Sequence, residues 1–383
     1  MVFPEIMGIR YRDLQGALEA LQTIQVPLVQ RVGGAYVPVG LGDDKGSYYF
    51  IPALAKDFGL PLDSAIHWFY GFFTFFPLLL ALAGFWILLK SWRAKGWAIL
   101  GLGWFYATTK IWDVYLAGSF AVLCVIPFLL FAWHKPVKIW QWLAILSVGG
   151  LFCGYADLIR SNSGLEVVLF GLVLLALNEG LDLRRKSLFC LCLLVFFMIP
   201  HGHLRYLEGQ RDHYLSKVVG TAYEKNTGHS FWHPVYIGLG YISNPYGIEY
   251  RDQVAYEKVS SIDPRAIRFS KEFEDILRDQ VFLLAEKDPG FILKNIFVKC
   301  AKLMYYALKF GNLGWLALLY WGMSRPVVSA FLALGIFSAL PSILVVPGVP
   351  YAAGFVAGST VFGIYAAGMA IDQYLAKKGL ASR

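Results

Sequence analysis

The feature that most constrains this chain is a succession of long apolar runs separated by short polar turns. The first clear run covers residues 66–89, and two more cover 116–133 and 139–158. A helix of about 20 apolar residues crosses the hydrocarbon core of a bilayer, so each of these runs is long enough to span it. Within lipid every backbone N–H and C=O must be bonded inside the chain, which favours helices. The sequence therefore predicts an all-α polytopic membrane protein.

Composition agrees with that class. Hydrophobic residues make up 57% of the chain, charged residues only 16%, and the mean hydropathy is +0.54. These values lie outside the range of ordinary soluble domains. The net charge of +8 could suggest nucleic acid, but the basic residues lie in short clusters between apolar runs, which is typical of turns that orient a membrane protein. We expect a lipid bilayer around the chain and no nucleic-acid partner.

The order of polar and apolar segments divides the chain into four parts. Residues 1–65 form an extracytoplasmic segment with short helices, and 66–200 form a transmembrane bundle of about six spans. Residues 201–288 contain 13 of the 26 Asp and Glu residues and are interpreted as a packed extracytoplasmic insert, since so long a connection is seldom structureless. Residues 289–383 contain an interfacial helix and about three further spans.

Local signals predict where several helices begin and end. Asp63 or Ser64 suits the cap of the first span. Asp288 suits an N-cap and Pro289 the first turn of the interfacial helix, because proline needs no N–H partner there. A span that begins near residue 188 is expected to end at Pro200.

The distribution of Lys and Arg predicts the orientation. If the turn at 90–95 is cytoplasmic, alternation of the spans places twelve Lys and Arg residues on the same side. The short turns on the other side contain only Lys110 and Arg160. By the positive-inside rule the N-terminal segment and the insert face outward, and the C-terminus faces the cytoplasm.

Two adjacent carboxylates, Asp43 and Asp44, precede the first span in a Gly-Asp-Asp-Lys-Gly turn on the predicted outer side. A carboxylate just above a bilayer is suitably placed to accept a proton from a substrate. The same turn would also arise if one Asp simply capped the following helix. Both interpretations stay open from the residues alone.

Other outward residues are candidates for contacts with a substrate or a phosphate group. Ionisable groups at the ends of membrane segments mark candidate sites, and cations pair with phosphate. The candidates are Lys110, Asp113, Arg160, Arg205, Arg251 and His233. A simple ion pair between Asp157 and Arg160 is the structural alternative for that turn.

No metal or cofactor is expected. His229 and His233 are four residues apart, but Pro234 and the neighbouring glycines disfavour the helix that a zinc pair would need. The five cysteines lie in apolar stretches without metal-ligand spacing. A nucleotide-binding fingerprint is not seen either.

Three segments resemble the GT-C superfamily of polyprenyl-phosphate-sugar-dependent glycosyltransferases, which includes protein mannosyltransferases and lipid A aminoarabinose transferases. Residues 43–60 are similar to the first external loop of that family, 113–115 to an outward Asp of its central bundle, and 287–299 to its juxtamembrane helix. The resemblance implies a GT-C-like bundle of about nine transmembrane helices. It also implies that Asp43 or Asp44 is the catalytic base.

The same resemblance implies the partners and the location. The donor would be a polyprenyl-phosphate-linked sugar, and the acceptor a glycan, a lipid or a protein. The enzyme would lie in the cytoplasmic (inner) membrane with its active site on the extracytoplasmic side. Members of the family open with a transmembrane helix that delivers the catalytic loop, whereas this chain has no long apolar run before Asp43. We therefore expect that the given start lies downstream of the true one.

Two alternatives remain from the sequence. An O-antigen ligase or polymerase also combines many spans with one long external loop, and its chemistry would rely on loop residues such as His233 and Arg251. A non-enzymatic transporter or assembly subunit is the other possibility. A transporter should show paired broken helices and charges near mid-span. The charges here lie at the ends of spans, which favours an enzyme.

Overall fold

A computed structural model of the chain describes residues 9–40, 42, 44–110, 113–219, 230–268, 270–320 and 322–379. Within these residues the chain forms fifteen α-helices, one 3-10 turn and one antiparallel hairpin. The all-α membrane-protein class is confirmed, and the small hairpin is an addition to it.

The N-terminal part contains the hairpin and eight helices. The strands are β1 (Val29–Val32) and β2 (Ala35–Pro38). The helices are α1 (Ile9–Thr23), α2 (Ser47–Asp57), α3 (Leu62–Leu88), α4 (Trp92–Thr109), α5 (Leu116–His134), α6 (Ile139–Ile159), α7 (Leu165–Ala176) and α8 (Leu183–Val219).

The C-terminal part contains the insert and the last membrane helices. Its elements are α9 (Trp232–Gly238), the 3-10 turn Leu239–Tyr241, α10 (Asp252–Ile262), α11 (Lys271–Lys287), α12 (Pro289–Gly311), α13 (Leu313–Tyr320), α14 (Arg325–Leu344) and α15 (Ala353–Lys377).

Six of the described helices are long and apolar enough to cross a membrane, namely α3, α5, α6, α8, α14 and α15. Helix α7 is apolar but shorter. The other spans expected from the sequence correspond to shorter or more polar helices, α4 and the pair α12 and α13.

Helix α15 lies in the middle of the bundle and packs against α4, α5, α12, α13 and α14. Its glycines permit this close packing, since small residues let membrane helices approach one another. A Cβ placed on Gly363 would lie 2.6 Å from the carbonyl oxygen of Gly311. At the end of α15, the Asp372 carboxylate accepts hydrogen bonds from the N–H groups of Lys90 and Ser91, at 2.7 and 2.8 Å. The turn after α3 and the end of α15 therefore lie at the same end of the bundle.

Helix α8 differs from the expected span. It runs through Pro200 for 37 residues, so the insert begins after Val219 rather than at residue 201. The part beyond the proline supports the N-terminal elements. Glu208 pairs with Lys45 at 2.9 Å, and Leu215 packs in a small apolar cluster with Val29.

The predicted helix caps give one confirmation and one correction. The Asp288 side chain accepts a hydrogen bond from the Phe291 N–H at 2.9 Å, with Pro289 in the first turn, as predicted. The prediction for Asp63 or Ser64 is wrong, because α3 already begins at Leu62 after Pro61 and has no side-chain cap. The proline ring presets the backbone for the helix entry there.

The insert has a hydrophobic core of its own, which includes Phe273 and Leu277. It docks on the bundle through its 3-10 turn. The carbonyl oxygen of Leu239 accepts a hydrogen bond at 2.8 Å from the amide of Asn295 on α12. The insert is thereby held over one end of the membrane helices, and the space between the two forms the site described next.

Candidate functional site

A cavity of about 620 Å³ lies between the insert and the ends of α5, α6, α7, α14 and α15. Its volume falls within the range of about 300 to 1,000 Å³ that is usual for small-molecule sites. The wall contributed by α14 is apolar, with Phe337, Leu340 and Leu344. Arg160 and Glu166 provide charged groups in the lining. The cavity thus combines an apolar wall from a membrane helix with ionisable groups.

Two aromatic rings define the orientation of Arg160 in the cavity wall. It ends α6, and its guanidinium carbon lies 4.6 Å from the ring centroid of Tyr115 and 5.6 Å from that of Tyr351. The hydroxyl of Tyr250 donates to that of Tyr351 at 3.0 Å, which ties the insert to this arrangement. Stacking on aromatic faces fixes the plane of a guanidinium, and a fixed planar fork suits a phosphate. Arg160 is therefore arranged as an anion ligand.

Two of the predicted carboxylates are brought together by a residue that the sequence did not reveal. Arg10 of α1 donates to both oxygens of Asp113 at 3.0 Å and lies 2.8 Å from an oxygen of Asp44. Asp44 is nearly buried, and Arg10 itself also lines the cavity. The pair of carboxylates and the cavity are therefore joined through one guanidinium.

The charges of this cluster stabilise one another. Burial disfavours the charged form of Arg10, but the carboxylates of Asp44 and Asp113 outweigh it and raise the pKa of Arg10. Burial, and then the charge of Asp44, raise the pKa of Tyr48 on α2, so its hydroxyl stays neutral. In this arrangement Arg10 neutralises Asp44.

His233 lies in the wall that the insert contributes. Its ring stacks on that of Tyr256 at a centroid distance of 5.5 Å, and its Nε2 atom lies 3.6 Å from Asp252. Burial lowers the pKa of His233, and the nearby charges of Asp252 and Glu274 offset this only in part. The helix α9 around it forms although Pro234 was expected to prevent one, because the proline lies in its first turn.

The structure separates the remaining predicted residues from the cavity. Lys110 and Arg205 are exposed and do not line it. Arg251 is exposed and pairs with Glu249 at 2.6 Å. Asp157 lies 3.4 Å from Nε2 of His201, so a histidine is its partner where an arginine was considered. Asp43 and His229 lie outside the described residues.

Glu166 is the second functional candidate that sequence reasoning missed. It lies in the first turn of α7, is only 4% exposed and lines the cavity. Its signal was present, since a single carboxylate follows the turn at 161–164 and begins an apolar run, and ionisable groups in such positions mark candidate sites. Arg10 had no comparable signal, because its partner Asp113 lies 103 residues further along the chain.

Among the residues that the structure describes, no group of three or more His, Cys, Asp or Glu side chains is placed to hold a metal ion. No family model, no curated protein and no solved structure matches this chain. The function is therefore argued from the cavity and its side chains.

Proposed function

We propose that the protein is an integral membrane glycosyltransferase of the GT-C type, which moves a sugar from a polyprenyl-phosphate donor to an extracytoplasmic acceptor. The observation that supports this best is the cavity itself. It pairs a stacked guanidinium, Arg160, with an apolar wall from membrane helix α14. A phosphate carried on a long isoprenoid chain needs both features.

The donor fits the cavity in one orientation. Its phosphate binds Arg160, because charge-assisted and bidentate hydrogen bonds to arginine are the strong ones. Its chain leaves along Phe337, Leu340 and Leu344 toward the bilayer. The sugar then lies in the part of the cavity that is nearer the carboxylates.

The transfer step uses Asp44, with Asp43 as the second candidate. Asp44 takes the proton of the acceptor hydroxyl or amine, and the acceptor atom bonds to the anomeric carbon of the sugar. The bond from that carbon to the phosphate oxygen breaks, and the polyprenyl phosphate leaves with its charge on Arg160. Binding here chiefly positions the two reactants.

The same proposal includes the location. We place the chain in the cytoplasmic membrane, with about nine spans, the six long apolar helices being completed by α4, by α7 and by α12 and α13 together. The cavity and the insert face outward, and the tail after α15 is cytoplasmic. The acceptor is a glycan, a lipid or a protein on the outer side.

The test is sugar transfer by the purified protein in nanodiscs, with a panel of radiolabelled polyprenyl-phosphate sugars and an envelope extract as acceptor. Arg160→Ala should lower kcat/KM about 10-fold to 150-fold, the equivalent of losing one charged hydrogen bond of roughly 1.5 to 3 kcal/mol. Asp44→Asn should lower kcat with little change in KM. Arg265→Ala is the control, since Arg265 is 94% exposed on the insert. Full transfer by both Arg160→Ala and Asp44→Asn would reject the proposal.

A ligase that takes a lipid-diphosphate donor is the second candidate, and the burial of His233 in the cavity wall favours it. There His233 would act as the base, and Asp44 would have little effect on the rate. His233→Ala and Asp44→Asn, measured on monophosphate and diphosphate donors, separate the two. Loss of activity in His233→Ala alone, on the diphosphate donor alone, would favour the ligase.

A further inference from the structure

The carboxylate of Glu166 is buried at the cavity without a protein partner for one of its oxygens. The residue is 4% exposed, and its Oε1 atom has no hydrogen-bond partner among the described residues. No ion pair of Glu166 is found within that part of the chain either. An unsatisfied buried carboxylate is costly, and a ligand group in the cavity that donates a hydrogen bond would reduce that cost.

Two glycines leave room for this carboxylate. A Cβ placed on Gly354 would collide with both oxygens of Glu166, and one on Gly118 would lie 3.6 Å from Oε1. The backbones of α5 and α15 come close together here, since the same Cβ on Gly118 would be 3.0 Å from the Gly354 nitrogen. Glu166 is thus in contact with backbone at the point where these helices meet.

The N-terminal ends of two helices lie beside this buried group. Glu166 lies in the first turn of α7, and Gly354 lies in the first turn of α15. The N-terminal ends of two helices carry partial positive charge, which stabilises a nearby carboxylate. These partial charges offset part of the cost of burying the carboxylate.

Arg160 and Glu166 lie on either side of the turn at 161–164, and both line the same cavity. We propose that Glu166 binds the sugar of the donor, accepting a hydrogen bond from a hydroxyl or an amino group, while Arg160 holds the phosphate. This rests on the proposed function, and it specifies the substrate class as a phosphate-linked glycolipid whose sugar presents such a donor group.

The test measures binding in nanodiscs by native mass spectrometry with three probes. These are undecaprenyl phosphate, its glucose-linked form and its glucosamine-linked form. Glu166→Ala should weaken binding of a sugar-linked probe about 10-fold to 100-fold and leave the bare phosphate unchanged, because a hydrogen bond to a charged group is lost. Arg160→Ala should weaken all three.

Glu166→Gln distinguishes the two donor groups. A glutamine oxygen still accepts a bond from a hydroxyl, so the glucose-linked probe should lose less affinity in Glu166→Gln than in Glu166→Ala. If an ammonium is the partner, Glu166→Gln should weaken the glucosamine-linked probe as much as Glu166→Ala, because the compensating charge is gone. Gly354→Ala keeps the glutamate but should also weaken binding of the sugar-linked probes, because the added Cβ would displace the carboxylate of Glu166.

Melting temperature separates a binding role from a structural one. Because Oε1 of Glu166 has no hydrogen-bond partner among the described residues, Glu166→Gln should leave the melting temperature equal or raise it. A lower melting temperature together with unchanged probe binding would overturn the inference. Sugar-linked probes that bind no tighter than the bare phosphate would also overturn it, while the proposed function stands if Arg160→Ala weakens the bare phosphate. If none of the three lipids binds, the proposed function fails and the inference with it.

Discussion

At the scale of single residues, Arg10 is the most consequential side chain of the N-terminal segment. It lies between two carboxylates that come from different parts of the chain, Asp44 before α2 and Asp113 before α5. One guanidinium thereby links α1, the polar turn before α2 and the start of α5. Removing it would leave two carboxylates close together without their counter-ion.

Arg10→Ala should therefore destabilise the protein by about 1 to 3 kcal/mol, less than the loss of a fully buried pair because Arg10 is 27% exposed. Chemical unfolding in detergent measures this. Arg12→Ala is the matched control, an exposed arginine on the same helix. Adding Asp113→Asn to Arg10→Ala should restore part of the lost free energy, since it removes one of the two repelling charges. Equal stability of Arg10→Ala and Arg12→Ala would show that the ion pairs contribute nothing.

His233 predicts a pH dependence of stability. Its pKa lies below the ordinary 6.5 in the folded protein and returns to 6.5 on unfolding. Its contribution to stability is therefore complete above 6.5 and is lost as the pH falls through the folded pKa, because the unfolded state binds the proton more readily. Melting temperatures from about pH 8 to pH 5 should fall at the acid end, and less so in His233→Gln.

The control for this measurement is His213→Gln, which changes an exposed histidine of α8. Its melting profile should follow that of the wild type. If His233→Gln and the wild type lose stability with the same slope below 6.5, the burial of His233 is not the cause.

At this scale the sequence allowed prediction of the groups but not of their partners. Asp44 and Asp113 could be singled out because a carboxylate next to an apolar run is unusual. Arg10 could not be singled out, because no pattern in the residues around it predicts a contact with Asp113, 103 residues away. The same limit applies to Lys110 and Arg205, whose charge made them candidates and whose exposure away from the cavity only the fold reveals.

At the scale of elements, local signals predicted those helix ends where the cap is local. Asp288 and Pro289 act within one turn of each other, so their pattern was sufficient. Pro200 was misleading because a proline ends an isolated helix, whereas neighbouring helices in a membrane can satisfy the backbone group that it releases. The hairpin of β1 and β2 did have a sequence signal, the adjacent glycines Gly33 and Gly34. Both adopt the positive φ that a two-residue hairpin turn requires.

The pairing of α6 and α8 makes a testable element. Gly150 and Gly154 are four residues apart on α6, and Cβ atoms there would lie 2.8 Å from the Leu193 oxygen and 2.5 Å from the Phe197 oxygen, respectively. Gly154→Ala should therefore separate the helices and destabilise the protein by about 1 to 3 kcal/mol. Thermal unfolding in detergent measures the change.

Gly103→Ala on α4 is the matched control, because a Cβ there meets no atom within 4 Å. It should be neutral or stabilise by about 0.5 to 1 kcal/mol, since alanine is the better helix former. Similar destabilisation by both substitutions would mean that the α6 and α8 contact does not depend on the small residue.

At the scale of the whole molecule, the predicted orientation can be tested directly. A protease site placed in the turn at 263–268, between α10 and α11, should be cut in intact spheroplasts, because the insert is expected to face outward. A second site after Gly379 should be cut only in inside-out vesicles. Cleavage of both sites from the same side would contradict an orientation that places the insert and the tail on opposite faces.

The class of the molecule followed from the sequence, and its site did not. Long apolar runs can be recognised in a sequence because the thickness of the bilayer sets their length. The cavity is assembled from the ends of five membrane helices and from the insert, so its lining depends on packing that no local pattern records. Glu166 is an example. Its carboxylate is recognised as part of the site only when the fold places Gly354, from α15, against it.

The central position of α15 has a consequence for how the protein is made. In α5 about 83% of the apolar window is buried, and in α15 about 72%, although 218 residues of chain separate the end of one from the start of the other. During synthesis α5 leaves the ribosome long before α15, which packs against it. Until α15 is made, the surface of α5 that it covers has no helix on it. The cavity, whose wall includes Gly354, is then completed only after translation has passed α15.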